Sequence, residues 1–348
     1  MSGGLIAGAA DGVSETPLER RGLKLETGAP VTGAVAVGDA VATGFGDGTV
    51  RFFRREAPPL AIAAHRGAVL CLAADRDTGS VLTGGDDGRF LRLSPDGAIE
   101  ELASFGTRWV DCVAAGPGWR ACSSGRNAHV WRVGAAAATQ LEHPSTVGGL
   151  GFDVKGRRLA VGHYGGVTVW KWHKLRWKPT RLNWKGSHGA VTFSPDGQFL
   201  VSSMQENALH GWRLRDNADM RMSGYPAKVK SFAWIGSAPF LATSGAETAV
   251  CWPFDGREGP MGRAPVTCGY GGQQLCTAVA GVIGVDGVFA GYQDGTVLAG
   301  MLIDDAGVDK VLKNAGAAEV TAIAVTRDGW LFVGDAVGAV LWVALGGS

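Results

Sequence analysis

The sequence predicts an all-β protein whose repeated units form a closed ring. Three observations lead to this fold class. Short runs of alternating apolar and polar residues, which are typical of half-buried strands, recur along the chain. Their copies start roughly 40 residues apart, the period of a four-stranded structural repeat. The 348 residues also include 55 glycines and 14 prolines, a composition that suits many short strands joined by tight turns.

The clearest copy of the repeat spans residues 65–93. It begins with a histidine, alternates at 69–73 and turns at 77–79, and a second run follows at 81–83. The tight turn 86–88, which ends in Asp-Gly, then leads into a third run that ends at residue 93. Two alternating runs around an Asp-Gly turn indicate a β-hairpin.

Seven further copies align with this one on the strand that precedes the tight turn. These strands begin near residues 42, 82, 121, 160, 201, 242, 289 and 332. Units of this length build β-propellers, in which each blade packs against its neighbours. We therefore predict a single closed β-propeller of eight four-stranded blades over residues 22–348. Seven blades plus an irregular segment near 257–282 is the alternative, because 257–272 has the least regular spacing.

The two ends of the chain are predicted to meet in one blade. Residues 1–21 are rich in glycine, alanine and charge without any period, so we expect a flexible segment. Residues 22–27 alternate like a strand, whereas the last unit contains only three strands of its own. Because circular closure removes an exposed sheet edge, we predict that 22–27 supply the outer strand of the last blade.

The repeats resemble the WD-repeat β-propeller family from about residue 22 to about residue 345. Residues 190–197 and 320–329 are similar to the family's first strand and the turn that follows it. The resemblance implies a structural hydrogen-bond network of His65, Thr83 and Asp87, with Leu93 in place of the family's tryptophan. The aromatic residues that close many third strands are expected to pack between blades; they are Phe53, Trp131, Trp170, Trp212, Trp252 and Trp342.

Composition and motifs argue against several classes of function. The net charge of +1 gives no overall attraction to nucleic acid or to acidic membranes. The sequence shows no apolar run long enough to span a membrane and no secretory leader, and its six cysteines lack paired metal-ligand spacing. GxSxG, HExxH and P-loop motifs are absent. We therefore expect a cytoplasmic protein, of bacterial origin by its Ala/Gly/Arg-rich composition, that is not an enzyme and needs no cofactor or metal.

One aromatic and basic stretch stands out from this background. Residues 170–185 contain four tryptophans, six lysines or arginines and no acidic residue. We predict a hairpin between the third and fourth strands of its unit, projecting from the rim. Its candidate partner-binding residues are Trp172, Lys174, Arg176, Trp177 and Lys178. Tryptophan and arginine are common in protein-interface hot spots. A nucleic-acid interface and a solvated hairpin whose tryptophans fold back onto the blade are the alternatives.

A second group of candidates lies on the loops around the predicted channel mouth. These aromatic and histidine residues follow turn glycines or lead into inner strands; they are Phe45, Trp109, His163, Tyr164, Tyr225 and Tyr292. Aromatic side chains on loops of a rigid scaffold are typical of recognition sites, although a functionally silent rim is equally compatible with them.

The resemblance and these surfaces together predict a non-catalytic scaffold that mediates protein–protein interactions in a cytoplasmic complex. The alternative function is a nucleic-acid or ribonucleoprotein-associated module that uses residues 172–185. We expect one or more protein partners, with nucleic acid as a second possibility, and no membrane.

Overall fold

The strands of the protein form seven antiparallel sheets, six with four strands and one with six, in the part of the chain that the structure describes. The structure is a computed structural model and describes residues 14–281, 285–302 and 309–346. In each four-stranded sheet except the last, the strands follow the order of the chain, as in a meander.

The described chain begins with a short helix, α1 (Pro17–Arg21). Thr16 caps it, because its hydroxyl accepts a hydrogen bond from the Glu19 amide while the Glu19 carboxylate accepts one from the Thr16 amide. Leu18 is buried among residues of the last two sheets. The prediction that residues 1–21 are flexible is therefore wrong for this helix, and residues 1–13 lie outside the described residues.

The first three sheets follow the predicted pattern of hairpins. The outer strand β1 (Leu23–Glu26) precedes them. The first sheet contains β2 (Val31–Val37), β3 (Ala40–Phe45), β4 (Thr49–Arg54) and β5 (Leu60–Ala63). The second contains β6 (Val69–Asp75), β7 (Ser80–Gly85), β8 (Arg89–Leu93) and β9 (Ile99–Ser104). The third contains β10 (Val113–Gly116), β11 (Trp119–Ser124), β12 (Asn127–Arg132) and β13 (Thr139–Glu142).

The fourth sheet has six strands. They are β14 (Gly149–Phe152), β15 (Arg158–His173), β16 (Arg176–Phe193), β17 (Phe199–Met204), β18 (Leu209–Arg213) and β19 (Ala218–Met222). Strands β15 and β16 have 16 and 18 residues, against three to seven in every other described strand. The first part of β15 pairs with β14, its second part with the first part of β16, and the end of β16 with β17.

The structure thus differs from the prediction of eight separate four-stranded blades. The fourth and fifth predicted units share one sheet, because strand pairing continues through β15 and β16 where a loop was expected between the units. Gly166 and Gly186, with φ of +141° and +125°, are the positions where these long strands bend. The seven sheets match the seven blades of the alternative prediction. That prediction placed the irregular segment near 257–282, whereas the structure has it at 158–193.

The last three sheets return to four strands. One contains β20 (Phe232–Ile235), β21 (Phe240–Thr243), β22 (Ala249–Pro253) and β23 (Val266–Cys268). The next contains β24 (Cys276–Gly281), β25 (Gly287–Tyr292), β26 (Val297–Met301) and β27 (Lys310–Lys313). The last contains β28 (Val320–Val325), β29 (Trp330–Asp335) and β30 (Ala339–Ala344), with β1 as its fourth strand. The N-terminal strand therefore pairs as predicted, from Leu23 opposite Trp342 to Glu26 opposite Ala339.

The inner strands lie side by side around a central channel. β2 contacts β6 on one side and β28 on the other; these contacts continue through β10, β14 and β16 in one direction and through β24 and β20 in the other. Between β16 and β20, the Trp234 indole donates a hydrogen bond to the Thr192 hydroxyl, 2.9 Å away. Small residues are required at this axis: a Cβ at Gly149 would overlap the carbonyl oxygen of Gly189 on β16.

Aromatic side chains fill the spaces between sheets, as predicted from their positions at strand ends. Phe53, Trp212 and Trp342 are buried, and the ring centroid of Phe53 lies 4.9 Å from that of Phe332 in the last sheet. Trp131 packs 5.4 Å from Phe90 of the preceding sheet. These contacts provide much of the hydrophobic stabilisation between neighbouring sheets. In the described part of the chain, no helix has the length and apolar character needed to cross a membrane.

Candidate functional site

The predicted hydrogen-bond network is present at the second sheet and is structural. His65 Nδ1 lies 2.9 Å from Asp87 Oδ1, and His65 Nε2 lies 2.9 Å from the Thr83 hydroxyl. Burial opposes the charge on Asp87, but hydrogen bonds from His65 and from the amides of Arg66 and Arg89 outweigh it and lower the pKa of this carboxyl. The network fixes the loop before β6 onto the sheet.

The basic hairpin, residues 170–185, is the most distinctive surface feature of the protein. Its two strands pair up to His173 opposite Arg176, and Lys174 and Leu175 form the turn. Both turn residues have positive φ, +48° and +64°, as a two-residue type I′ hairpin turn requires. Glycine and asparagine usually occupy such positions, because a bulky side chain is unfavourable there. Leu175 is nevertheless 82% exposed at the tip.

Two tryptophans of this hairpin, Trp172 and Trp177, fold back onto the third sheet. Trp177 is buried, and the Trp119 ring centroid lies 4.8 Å from that of Trp172 and 4.9 Å from that of Trp177. The prediction that Trp172 and Trp177 form a free partner-binding patch is therefore wrong for Trp177, which is buried. Trp172 is half-buried, so only part of its side chain is accessible. Trp119 was not predicted, because nothing in the sequence links the start of β11 to a hairpin of the next unit.

The cations of the hairpin remain accessible, as predicted for Lys174, Arg176 and Lys178. These side chains and Lys171 are exposed, and none of the four takes part in an ion pair among the described residues. Lys171 stands directly opposite Lys178 in the strand register. Like charges in this position destabilise a sheet, so the arrangement is not explained by stability of the hairpin alone.

Four of the six candidates around the channel mouth are buried structural residues. Phe45 and Tyr292 are fully buried, and His163 and Tyr225 are nearly so. The Tyr225 hydroxyl lies 2.7 Å from the Thr243 hydroxyl and accepts a hydrogen bond from the Trp252 indole at 2.6 Å. Burial raises the pKa of Tyr225 to about 12. The position of these four residues directly after a glycine did not predict whether their side chains are accessible, because the rings are buried between sheets.

The other two candidates are accessible. Trp109, in the loop before β10, is 61% exposed, and Tyr164, within β15 of the six-stranded sheet, is 59% exposed. Tyr270, in the loop before β24, is equally exposed and was not predicted, because the segment around it carries no recognisable repeat spacing. These three residues are the exposed tyrosine, tryptophan or phenylalanine side chains in the described part of the chain.

A group of buried histidines lies at the base of the basic hairpin. His143 accepts a hydrogen bond from the Trp170 indole at 2.9 Å, and His188 lies 2.7 Å from the Ser202 hydroxyl. The His210 ring stacks on the Trp184 ring at 3.9 Å. Burial lowers the pKa of His143 and of His210 to about 4, so both are neutral near pH 7.

The described residues contain no group of three or more histidine, cysteine or acidic side chains arranged to hold a metal ion. The six cysteines are free thiols. Cys251 and Cys268 are buried with their sulfur atoms 4.0 Å apart, and burial raises the pKa of Cys276 beside them to about 12. A buried, protonated thiol is a poor nucleophile.

Comparisons with known proteins reveal similarity in fold alone. No family model matches the sequence, and no curated protein matches it significantly. The crystal structure of the computationally designed Ika8 protein superimposes with a TM-score of 0.75 at 20% identity, over 94% of this chain and 100% of that chain. The WD40 β-propeller domain of Doa1 gives a TM-score of 0.62 at 14% identity, over 94% of this chain and 96% of that chain. The chain therefore has a WD40-type β-propeller fold.

Proposed function

We propose that the protein is a non-catalytic scaffold that binds one or more partner proteins, and that the basic hairpin is a principal binding surface. The observation that carries this proposal is the exposed tip of the hairpin, where Leu175 lies between Lys174 and Arg176 in a strained turn. A strained, exposed turn is costly for folding and is characteristic of functional sites.

The hairpin is also held rigidly, as an interface element should be. The packing of Trp172 and Trp177 against Trp119 fixes its face, and the Trp172 amide donates a hydrogen bond to the Arg157 carbonyl oxygen. A surface that is already ordered loses less conformational entropy on binding. Trp109 and Tyr164 are exposed aromatic side chains that offer further contacts for a partner.

The nucleic-acid alternative receives less support. Sequence-tolerant binding of single strands depends on aromatic rings whose faces can stack on bases. Trp177 is buried and Trp172 is half-buried against Trp119 and Trp177, so the hairpin offers little ring surface for stacking.

The experiment for this proposal is an affinity capture from the native host. The wild type is compared with a tip variant that carries Lys174→Glu, Leu175→Ser and Arg176→Glu. A matched control carries Arg257→Glu and Lys310→Glu, two exposed cations away from the hairpin, which changes the charge equally. We expect a discrete set of proteins that the tip variant loses and the control retains. Equal recovery with all three proteins would contradict the proposed surface, and recovery abolished by nuclease would favour nucleic acid.

We also propose that the six-stranded sheet counts as two blades, which gives eight blades in a closed ring. The pairings among β14, β15 and the first part of β16 form one set, and the pairings from the end of β16 to β19 form another. The two sets meet only through the long strand β16. An experimental structure tests the blade number.

We propose further that the protein resides in a reducing cytoplasm. Six free cysteines suit a reducing compartment. Fractionation of host cells tests the location.

A further inference from the structure

Positive charge is concentrated in one part of the chain. Residues 154–195 contain nine lysines or arginines and no acidic residue, whereas the remaining residues carry a formal charge of −8, since the whole chain carries +1. Four of the ten lysines lie at 171–185. In the described structure, the arginines outside this segment commonly form ion pairs, such as Arg120 with buried Asp75. Lys171, Lys174, Arg176 and Lys178 of the basic hairpin, in contrast, form no ion pair among the described residues.

The hairpin tip presents a specific order of chemical groups. An apolar side chain, Leu175, stands between the ammonium group of Lys174 and the guanidinium of Arg176. Farther from the tip, Lys171 and Lys178 face each other across the two strands. An anionic group placed between these two lysines would remove a repulsion that the free protein carries.

We propose, resting on the protein-binding function proposed above, that the partner contributes an acidic segment with an apolar side chain at its centre. The carboxylates of this segment contact Lys171, Lys178 and Arg176, and its apolar side chain packs against Leu175. Such a segment matches both the charge and the apolar tip of the hairpin. A nucleic-acid backbone matches the charge only, because it has no apolar group for Leu175 to contact.

The test uses peptides and the full-length protein at low ionic strength, with binding followed by fluorescence anisotropy. One labelled peptide has a single leucine flanked by glutamates, and a second has serine in place of the leucine. We expect the leucine peptide to bind the wild type about threefold to tenfold more tightly, because burying part of a leucine side chain is favourable. The variant Leu175→Ser should remove this preference and retain weak binding of both peptides.

A second variant separates charge from the apolar contact. Lys171→Gln with Lys178→Gln should weaken both peptides by about threefold to tenfold, as expected for two surface ion pairs. The control Lys310→Gln with Arg257→Gln should leave both affinities unchanged. Equal binding of the two peptides to the wild type, or tighter binding of duplex DNA under the same conditions, would overturn the proposal.

The capture experiment distinguishes this proposal from the function on which it rests. If the tip variant loses its protein set and neither peptide binds the wild type, the scaffold function holds and the acidic segment is wrong. If the capture is insensitive to the tip as well, both proposals fail.

Discussion

Two buried polar groups in this protein, His65 and Tyr225, find their partners on adjacent strands and loops of the same sheet. In the second sheet, His65 lies between Thr83 and Asp87. In the sheet of β20–β23, Tyr225 takes the corresponding place beside Thr243. Both arrangements attach the loop before an inner strand to the second strand, and both avoid the cost of an unpaired buried polar group.

Removing one member of the network should therefore destabilise the fold. In Thr83→Val the side chain keeps its shape but leaves His65 Nε2 without a partner. We expect a loss of about 1–3 kcal/mol, the cost of an unsatisfied buried group. Urea unfolding measures it, with Thr32→Val at an exposed threonine as the control. Equal unfolding midpoints for the two variants would contradict a stabilising role.

The buried histidines predict a dependence of stability on pH. His143 and His210 have a pKa of about 4 in the folded protein because of burial, against about 6.5 in an unfolded chain. The unfolded chain binds more protons between these values, so stability is complete above about pH 6.5 and falls as the pH decreases toward 4. Asp219, near His210, opposes part of this shift.

Melting temperatures at about pH 7.5 and about pH 5 measure this effect. The variant His210→Phe keeps an aromatic ring beside Trp184 and cannot take up a proton, so its melting temperature should fall less between the two conditions. A fall as large as that of the wild type would show that His210 does not contribute.

At the scale of elements, the basic hairpin combines an anchored face with a free tip. One face is anchored by the contact of Trp172 and Trp177 with Trp119, whereas Leu175 is exposed at the tip. The sequence predicted the position of the hairpin from its alternation and its charge. It did not predict the direction of the tryptophans, because that depends on Trp119, which lies more than fifty residues away in the chain.

This division predicts opposite effects of two substitutions. Trp119→Ala removes a large buried side chain and should cost about 3–5 kcal/mol. Leu175→Ser removes an exposed one and should change stability by no more than about 0.5 kcal/mol. Denaturant unfolding of the two variants provides the measurement. Comparable losses would mean that the tip, and not only the anchored face, stabilises the fold.

At the scale of the whole molecule, the repeat period predicted the propeller and the pairing of its first strand. A period is visible in sequence because every unit repeats the same turns and alternation. The joining of two units at 158–193 was not visible, because it depends on strand pairing that continues on both sides of Gly166 and Gly186, and the spacing of the repeats does not reveal that pairing. The buried orientation of Phe45 and Tyr292 also depends on neighbouring sheets.

The pairing of β1 with β30 predicts which truncations are harmful. Deleting residues 1–26 removes α1 and the outer strand, deleting 1–22 removes only the helix, and deleting 1–13 removes neither. We expect the 1–26 deletion to lower the melting temperature most, because β30 then becomes an exposed edge strand. Its melting temperature should lie about 5 °C or more below that of the 1–22 deletion. Equal melting temperatures for the 1–22 and 1–26 deletions would show that β1 does not stabilise the fold.

The same pairing sets an order of events during synthesis on the ribosome. Strand β1 emerges more than three hundred residues before its partner β30, which spans Ala339–Ala344. Leu23 and Leu25 must therefore stay without their native partner until β30 has been made. A nascent chain released early can fold its central sheets but cannot complete the last one, and an unpaired strand of this kind is what chaperones and proteases recognise.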